Sequence, residues 1–269
     1  MMNDLRKMPN PADFEIIDAH THPFLNREES CIGAYGKPET MEEFDREMKK
    51  VGIGRYAGAP LVRHFVTDFR EIRELNDTAL RIRDRFPDYI PGMQVHGGFP
   101  AESVAEIERC RREGVRYIGE LVPYIMHTGE FNSPDMLEIF RAAGELKMTA
   151  DLHHGTRAEV TPVLKECPGL NVILAHPCEP NGEEGAKARL DFVAEYDNLY
   201  LDLSGTGLFR WNMLRYGIDR CGAEKLIFGS DMPTCSAGML LYGVLSENLT
   251  DEEFRLVLAG NFKRLLGLD

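Results

Sequence analysis

Short apolar runs and amphipathic helical patterns alternate eight times along the chain. The first run, FEIIDAH at 14–20, is rich in β-branched residues and ends in polar ones. The later strand-like runs lie at 55–60, 89–95, 115–121, 148–154, 171–176, 199–204 and 225–231. The helical patterns lie at 40–50, 68–86, 101–113, 133–146, 157–167, 185–196, 208–217, 238–246 and 250–266. Thr40 with Glu43 and Thr250 with Glu253 are capping-box pairs, which mark two of the helix starts.

The eight strand and helix rounds predict an α/β fold, the (β/α)8 TIM barrel. Parallel strands need crossover connections, and helices cover their outer faces, which suits apolar runs of this kind. The chain has 269 residues, more than a usual domain of about 150, but barrels of this class take about 250. The alternative, an open doubly wound sheet, is disfavoured because no Gly-x-Gly-x-x-Gly follows any strand. We therefore expect a single barrel domain over residues 1–269.

The charge balance narrows the classes of partner. Asp and Glu outnumber Lys and Arg by 44 to 31, and the net charge of -13 disfavours nucleic acid and anionic membranes. No run approaches the ~20 apolar residues of a membrane helix, and the first residues lack the apolar core of a signal peptide. We therefore expect a cytoplasmic protein. Its six cysteines are scattered without a CxxC pair and are expected to be free thiols.

Residues that bind metals follow several of the predicted strands. In a parallel barrel the carboxyl ends of all strands share one face, so residues distant in sequence converge in one cup. His20 and His22, two positions apart, project to one side of the first strand and can bind one cation together. The other candidates are Glu120 at strand four, His153 and His154 at strand five, His176 at strand six and Asp231 after strand eight. Imidazoles with carboxylates suit zinc, manganese, iron or nickel, so we expect a divalent metal.

Five motifs follow one another in a characteristic order. They are DAHTH at 18–22, LH at 152–153, ILAHP at 173–177, FGSDMP at 228–233 and GNFKRLLGL at 260–268. In this order they resemble the amidohydrolase superfamily and, within it, the group called amidohydrolase 2, over nearly the whole chain. One motif departs from this pattern, because YIGE at 117–120 is more similar to the fourth-strand glutamate of TatD-type nucleases. The resemblance implies a metal-dependent barrel enzyme.

The resemblance also implies roles for the candidate ligands. His20, His22 and the fifth-strand histidine would hold a metal, with zinc first among the candidates. The adjacent His153 and His154 leave the fifth-strand position open, and His153 is preferred because a small or polar residue usually follows the ligand. A divalent metal lowers the pKa of bound water towards ~7. Asp231 would coordinate and orient that water, accept its proton and return it to a leaving group.

The number of metal ions decides the roles of two further residues. Glu120 would bridge two ions, or otherwise form an ion pair inside the cup. His176 would bind the second ion, or act as a base or as a donor to the substrate oxygen when one ion is present. We expect strand alternation to place Ile118, Glu120 and Val122 on one side, with the carboxylate facing the cup. One ion and two ions both stay open.

Three reactions are compatible with these residues. The favoured hypothesis is a metal-dependent hydrolase of a small amide, ester or lactone, and the alternative is a non-oxidative decarboxylase of an aromatic or enol carboxylic acid. A TatD-like nuclease is favoured by Glu120 but opposed by the net charge. The expected partner is a small molecule, with a carboxylate as one option, and homo-oligomerisation stays open. Candidate substrate contacts on the same face are Arg63, His64, His96, Tyr124, Arg210 and Trp211, with Tyr35 and Lys37 on a lid loop.

Overall fold

In the computed structural model, eight parallel strands form one sheet in the order of the sequence. The structure describes residues 7–25, 35–177, 185–205 and 211–269. The strands are Ile17–Thr21 (β1), Arg55–Gly58 (β2), Tyr89–Met93 (β3), Tyr117–Leu121 (β4), Thr149–His153 (β5), Asn171–Ala175 (β6), Leu199–Asp202 (β7) and Leu226–Ile227 (β8).

Backbone hydrogen bonds between the chain after β8 and the end of β1 close the sheet into a barrel. The N–H of Asp231 donates to the carbonyl of His20 at 2.8 Å, and the N–H of His22 donates to the carbonyl of Met232 at 2.8 Å. The predicted (β/α)8 class is therefore confirmed. The same bonds fix two of the candidate histidines next to the candidate aspartate.

Helices follow the strands and cover the outside of the barrel. They are Met41–Lys50 (α1), Phe69–Arg85 (α2), Pro100–Arg112 (α3), Pro123–Met126 (α4), Pro134–Glu145 (α5), Arg157–Glu166 (α6), Ala186–Val193 (α7), Met213–Cys221 (α8), Ala237–Leu245 (α9), Asp251–Arg255 (α10) and Asn261–Leu266 (α11), with a π-helical turn at Leu256–Gly260. Thr250 and Glu253 form the predicted capping box at α10. At α1, Thr40 accepts the N–H of Glu43, but the Glu43 carboxylate accepts the N–H of Glu39 and the box is incomplete.

The elements differ from the predictions chiefly at their ends. β8 covers Leu226–Ile227 rather than 225–231. The strand ends there because the next N–H, that of Phe228, donates to the carbonyl of Val257 in the π-helical turn at 2.9 Å and not to a neighbouring strand. The start of the helix predicted at 208–217 lies outside the described residues, and α8 begins after it.

Apolar side chains fill the amino-terminal half of the barrel. Strand residues cluster there with one face of α11; the group includes Ile17, Ala57, Tyr117, Ile173, Tyr200, Ile227, Phe262, Leu265 and Leu266. The rings of Tyr117 and Phe262 meet edge to face, with centroids 5.4 Å apart. This cluster is the floor beneath the polar carboxyl-terminal face. Among the helices of the described residues, none has the length and apolar character needed to cross a membrane.

Candidate active site

Side chains from three strand ends meet at the carboxyl-terminal face of the barrel. Glu120 Oε2 lies 3.5 Å from His20 Nε2 and 3.4 Å from His22 Nε2. Asp231 Oδ1 lies 3.3 Å from His22 Nε2 and 3.9 Å from His20 Nε2. All four residues are buried or nearly so. The structure thus brings two predicted imidazoles and two predicted carboxylates together around one point.

The second oxygen of Glu120 faces a different pair of histidines. Oε1 lies 2.5 Å from His153 Nδ1 and 3.2 Å from His176 Nε2. Burial acts to raise the pKa of Glu120, but the charge of His20 and hydrogen bonds from His153 and His176 hold that pKa well below its usual range. Glu120 is therefore a carboxylate with one oxygen towards His20 and His22 and the other towards His153 and His176.

The side-chain alternation of β4 differs from the prediction. Ile118 lies in the apolar layer under the helices, whereas Glu120 faces the cup, so the predicted placement of the two on one side of the strand is wrong. The cause is a register shift, because Ile118 pairs with Ala150 but Leu121 pairs with Leu152. Three steps along β4 match two along β5, and the extra residue reverses the alternation. The expected position of the carboxylate in the cup is nevertheless observed.

Two residues at the end of β7 contact the Nδ1 atoms of His20 and His176, on the side of each ring that faces away from Glu120. Neither residue was identified from the sequence. Asp202 Oδ2 lies 2.6 Å from His20 Nδ1, and Ser204 Oγ lies 2.9 Å from His176 Nδ1. Burial acts to raise the pKa of Asp202, but the adjacent His20 lowers it to about 2. The signal was present, because polar residues end the run LYLDLS as they end the other strands of the site.

Three residues of the site have left-handed backbone conformations, which cost a non-glycine residue about 1–3 kcal/mol each. The φ angles are 48° at His154, 64° at His176 and 65° at Asp231. Hydrogen bonds hold two of them in place: the N–H of His176 donates to Asp202 Oδ1 at 3.1 Å, and the N–H of Asp231 donates to the carbonyl of His20 at 2.8 Å. Strain held in this way is typical of functional sites.

A buried ring nitrogen indicates that the site suits a cation. His20 Nε2, on the side of Glu120 and Asp231, is buried without a hydrogen-bond partner in the part of the chain that the structure describes. Ligand atoms of His20, His22 and Glu120 lie within 4.8 Å of one another. Burial acts to lower the pKa of His22, but Asp231 and Glu120 raise it to about 10, so the carboxylates attract positive charge to this point. A divalent cation would pair with these groups.

The adjacent histidines of β5 have different surroundings. His153 contacts Glu120 through Nδ1, and its Nε2 lies 3.1 Å from the hydroxyl of Tyr124. His154 stacks on His153 with ring centroids 4.1 Å apart, and ligand atoms of His153, His154 and His176 lie within 4.8 Å of one another. Burial and the nearby histidines lower the pKa of His154 to about 4. His154 is therefore neutral at pH 7.

The chain matches the family model described as Amidohydrolase over residues 17–268. It belongs to the amidohydrolase family. The family membership makes it an enzyme and confirms the resemblance inferred from the five sequence motifs. No curated protein matches it.

Several solved structures share the fold of this amidohydrolase. A 2,6-dihydroxybenzoate decarboxylase from Rhizobium is 15% identical, with a TM-score of 0.75, 94% of this chain and 99% of that chain being covered. A 5-carboxyvanillate decarboxylase from Novosphingobium aromaticivorans, complexed with manganese, is 15% identical, with a TM-score of 0.72 and 100% of both chains covered. A probable 2-pyrone-4,6-dicarboxylic acid hydrolase from Acinetobacter baumannii is 18% identical, with a TM-score of 0.67, 95% of this chain and 100% of that chain being covered.

The other residues singled out in the sequence of the amidohydrolase differ in their exposure to solvent. Exposed side chains are those of Tyr35, Lys37, Arg63, His64, Tyr124 and Trp211. His96 is buried instead, and its Nδ1 accepts the N–H of Gly98 at 3.0 Å. The free thiols predicted are confirmed for Cys110, Cys167, Cys221 and Cys235. Arg210, Cys31 and Cys178 lie outside the described residues.

Proposed function

We propose that the amidohydrolase is a metal-dependent hydrolase of a small amide, ester or lactone. The position of Glu120 carries this proposal, because its two carboxylate oxygens face two separate pairs of histidines. A carboxylate between two groups of nitrogen ligands is suited to bridging two cations, an arrangement used in hydrolytic metal sites. Oε2 faces His20 and His22, and Oε1 faces His153 and His176.

Groups of donor atoms lie within 4.8 Å of one another on each side of Glu120: His20, His22 and Glu120 on one side, and His153, His154 and His176 on the other. His20, His22 and Asp231 would hold one ion, and His153 and His176 would hold the other. Imidazole and carboxylate donors favour zinc, while manganese, iron and nickel also accept this set, and a similar decarboxylase structure contains manganese. An ion bound here supplies Lewis acidity and makes hydroxide available near neutral pH.

Asp231 is positioned to handle the proton of the reaction. Its Oδ1 lies 3.3 Å from His22 Nε2, at the open side of the group formed with Glu120. We propose that Oδ1 accepts the proton of the attacking water and returns it to the leaving group, the step expected of a positioned general base and acid. The hydroxyl of Tyr124 lies 3.1 Å from His153 Nε2, at the side of the cup formed by His153 and His176.

Decarboxylation of an aromatic or enol acid is the second candidate, and similarity to two decarboxylase structures favours it. With a single ion held by His20 and His22, His176 Nε2 would be free to exchange a proton with the substrate. The two candidates therefore differ in metal content and in product.

Metal analysis combined with a substrate panel tests the proposal. The wild-type protein is expected to hold about two ions and the Glu120→Gln variant about one, because an amide is a poor bridge. Glu15→Gln is the matched control, since Glu15 precedes β1 at the opposite end of the barrel, where it pairs with Lys263 of α11. The double variant His20→Ala with His22→Ala is expected to lose the first ion.

The panel contains carboxylated lactones, amides, esters and aromatic acids, with detection of both hydrolysis and carbon dioxide release. Hydrolysis by the wild type, reduced in Glu120→Gln but retained in Glu15→Gln, would support the proposal. One ion in both the wild type and Glu120→Gln would contradict the bridging role. Carbon dioxide release without hydrolysis would contradict the hydrolase proposal and support decarboxylation.

A further inference from the structure

The imidazole of His153 is contacted at both ring nitrogens by residues at the end of β4 and on α4. Glu120 Oε1 lies 2.5 Å from Nδ1, and the Tyr124 hydroxyl lies 3.1 Å from Nε2. Glu120 belongs to β4, and Tyr124 follows four positions later on α4. One short segment therefore contacts the ring from two sides, at the point where the second ion is proposed to bind.

Helix α4 holds the backbone of Tyr124 in place, although the side chain of this residue is 66% exposed. The helix begins at Pro123, and Val122 and Met126 on either side of it are buried in an apolar cluster with the loop that follows β2. The N–H of Val66 in that loop also donates to the carbonyl of Met126 at 3.0 Å. An anchored turn therefore brings the hydroxyl to the imidazole, while the phenol ring is open to solvent.

A hydroxyl is suited to a histidine that has to change its tautomer. With the proton on Nδ1, His153 donates to the Glu120 carboxylate, and the Tyr124 hydroxyl can donate to the lone pair on Nε2. With an ion at Nδ1, the proton is on Nε2, and the oxygen of the same hydroxyl can accept it. The ionised carboxylate of Asp202 behind His20 can only accept, so it holds that ring in one tautomer.

We propose that Tyr124 is a positioning residue, whose hydroxyl holds the His153 ring with Nδ1 towards Glu120 for the second ion. The inference rests on the proposed function, which assigns the second ion to His153 and His176. The hydrogen bond of one ring nitrogen fixes the orientation of the other, and such partners contribute to metal affinity. The first ion is assigned to ligands on the other side of Glu120. Loss of the hydroxyl is therefore expected to weaken binding of the second ion alone.

Metal titration of Tyr124→Phe tests this role, because the variant keeps the ring and loses the hydroxyl. The metal-free wild type and variant are titrated with zinc in competition with a chelating dye, which separates the affinities of the two ions. We expect the second ion to bind about 10- to 100-fold more weakly to the variant and the first ion to bind equally. Tyr242→Phe is the matched control, because Tyr242 is also an exposed tyrosine but lies on α9.

Nitrogen NMR of the metal-free protein, labelled at histidine, tests the contact itself. The ring signals of His153 are assigned by their loss in His153→Gln. A nitrogen lone pair that accepts a hydrogen bond resonates at lower frequency than a free one. The Nε2 signal is therefore expected to move to higher frequency in Tyr124→Phe and to stay in place in Tyr242→Phe. A residue that only stabilised the fold would not change this signal.

Three results would overturn the proposal. They are an unchanged affinity for every bound ion in Tyr124→Phe, an equal weakening of both ions, and an Nε2 signal of His153 that is the same in the wild type and the variant. None of these measurements requires turnover.

Failure of the proposed function gives a different result. A wild type that binds one ion would contradict the two-ion site. A lower affinity for that ion in Tyr124→Phe, together with a shifted Nε2 signal, would then still support positioning of His153 by Tyr124. Two ions in the wild type with unchanged affinities in Tyr124→Phe would overturn this inference alone.

Discussion

At His20, one ring nitrogen is held by the protein and the other faces the cup. Asp202 Oδ2 lies 2.6 Å from Nδ1, and Ser204 Oγ lies 3.2 Å from the same atom. Because the Asp202 carboxylate accepts the Nδ1 proton, the lone pair of a neutral His20 is on Nε2, opposite Glu120 and Asp231. A carboxylate behind a metal-binding imidazole fixes its tautomer and orientation in this way.

Asp202→Asn tests this arrangement at the level of one atom. The amide can keep an oxygen for the N–H groups of His176 and Ser204, but it then presents an NH2 group to His20 Nδ1. His20 would respond by accepting at Nδ1 and carrying its proton on Nε2, where a cation is expected. We therefore expect the affinity for zinc or manganese to fall about 10- to 100-fold, measured by competition with a chelating dye.

The matched control is Asp45→Asn, because Asp45 contacts Lys49 and Tyr56 beside α1. Its metal affinity should equal that of the wild type. Equal affinities for Asp202→Asn and the wild type would show that Asp202 does not orient His20 for a ligand.

Local sequence patterns identify some site residues but not others. His20 and His22 are two positions apart at the end of one apolar run, so their proximity could be predicted from the sequence, although β1 itself ends at Thr21. Asp202 could not be identified in this way, because it contacts His20 Nδ1 from a strand 182 positions away in sequence.

At the level of elements, strand alternation was the least reliable step of the sequence analysis. β4 departs from a two-residue period between Ile118 and Leu121, and β1 departs from it between Asp18 and Thr21. Both irregularities occur where a strand delivers a ligand candidate, as is common for β-bulges next to active sites. The existence of each strand follows from its apolar run, but an extra residue in the register leaves no mark in that pattern.

A buried polar network connects two outer helices to the end of β4. Gln94 Nε2 donates to the carbonyl of Glu120 at 3.0 Å, and the Gln94 N–H donates to Asn76 Oδ1 on α2 at 2.7 Å. Asn76 Nδ2 in turn donates to Glu106 Oε1 on α3 at 3.2 Å. Arg109 pairs with both oxygens of Glu106. The backbone of Glu120 is therefore anchored through the helix layer, and this layer contributes to the site.

Glu106→Gln is expected to weaken the fold in a pH-dependent manner. Burial acts to raise the pKa of Glu106, but Arg109 and Asn76 lower it below the usual value. A lowered folded-state pKa stabilises the protein above the unfolded pKa of about 4.3 and loses this effect as pH falls through the folded pKa. The wild type should exceed the variant by about 1–3 kcal/mol in the free energy of unfolding at pH 7.

Urea denaturation at pH 7 and at successively lower pH checks this prediction. The difference between wild type and Glu106→Gln should shrink below about pH 4.3, because the wild-type carboxyl is protonated first in the unfolded state and, at lower pH, in the folded state. A difference that stays constant over this range would mean that the charge of Glu106 does not stabilise the fold.

At the scale of the whole molecule, the fold could be predicted from the sequence even where the bounds of single strands were predicted wrongly. The barrel follows from eight repeated rounds, so a strand shortened to Leu226–Ile227 leaves the strand order unchanged. The architecture also separates the candidate active site from the apolar core that stabilises the barrel. Polar residues occupy the carboxyl-terminal face, while the floor beneath them is apolar and is closed by α11. Substitutions in the floor should therefore change stability much more than chemistry.

Phe262→Ala tests this separation. The Phe262 ring is 1% exposed and meets Tyr117 edge-on across the barrel floor. Removing it leaves a cavity among strand residues that cannot collapse freely, so we expect a loss of about 3–5 kcal/mol in the free energy of unfolding by urea. Phe65→Ala is the control, because Phe65 is 61% exposed and its removal should change stability by less than about 0.5 kcal/mol. At temperatures where Phe262→Ala is folded, its metal content should equal that of the wild type. Loss of metal from the folded variant would show that the floor also positions the site, since Tyr117 donates to Asp151 at 2.6 Å and Asp151 lies 3.3 Å from His20 Nδ1.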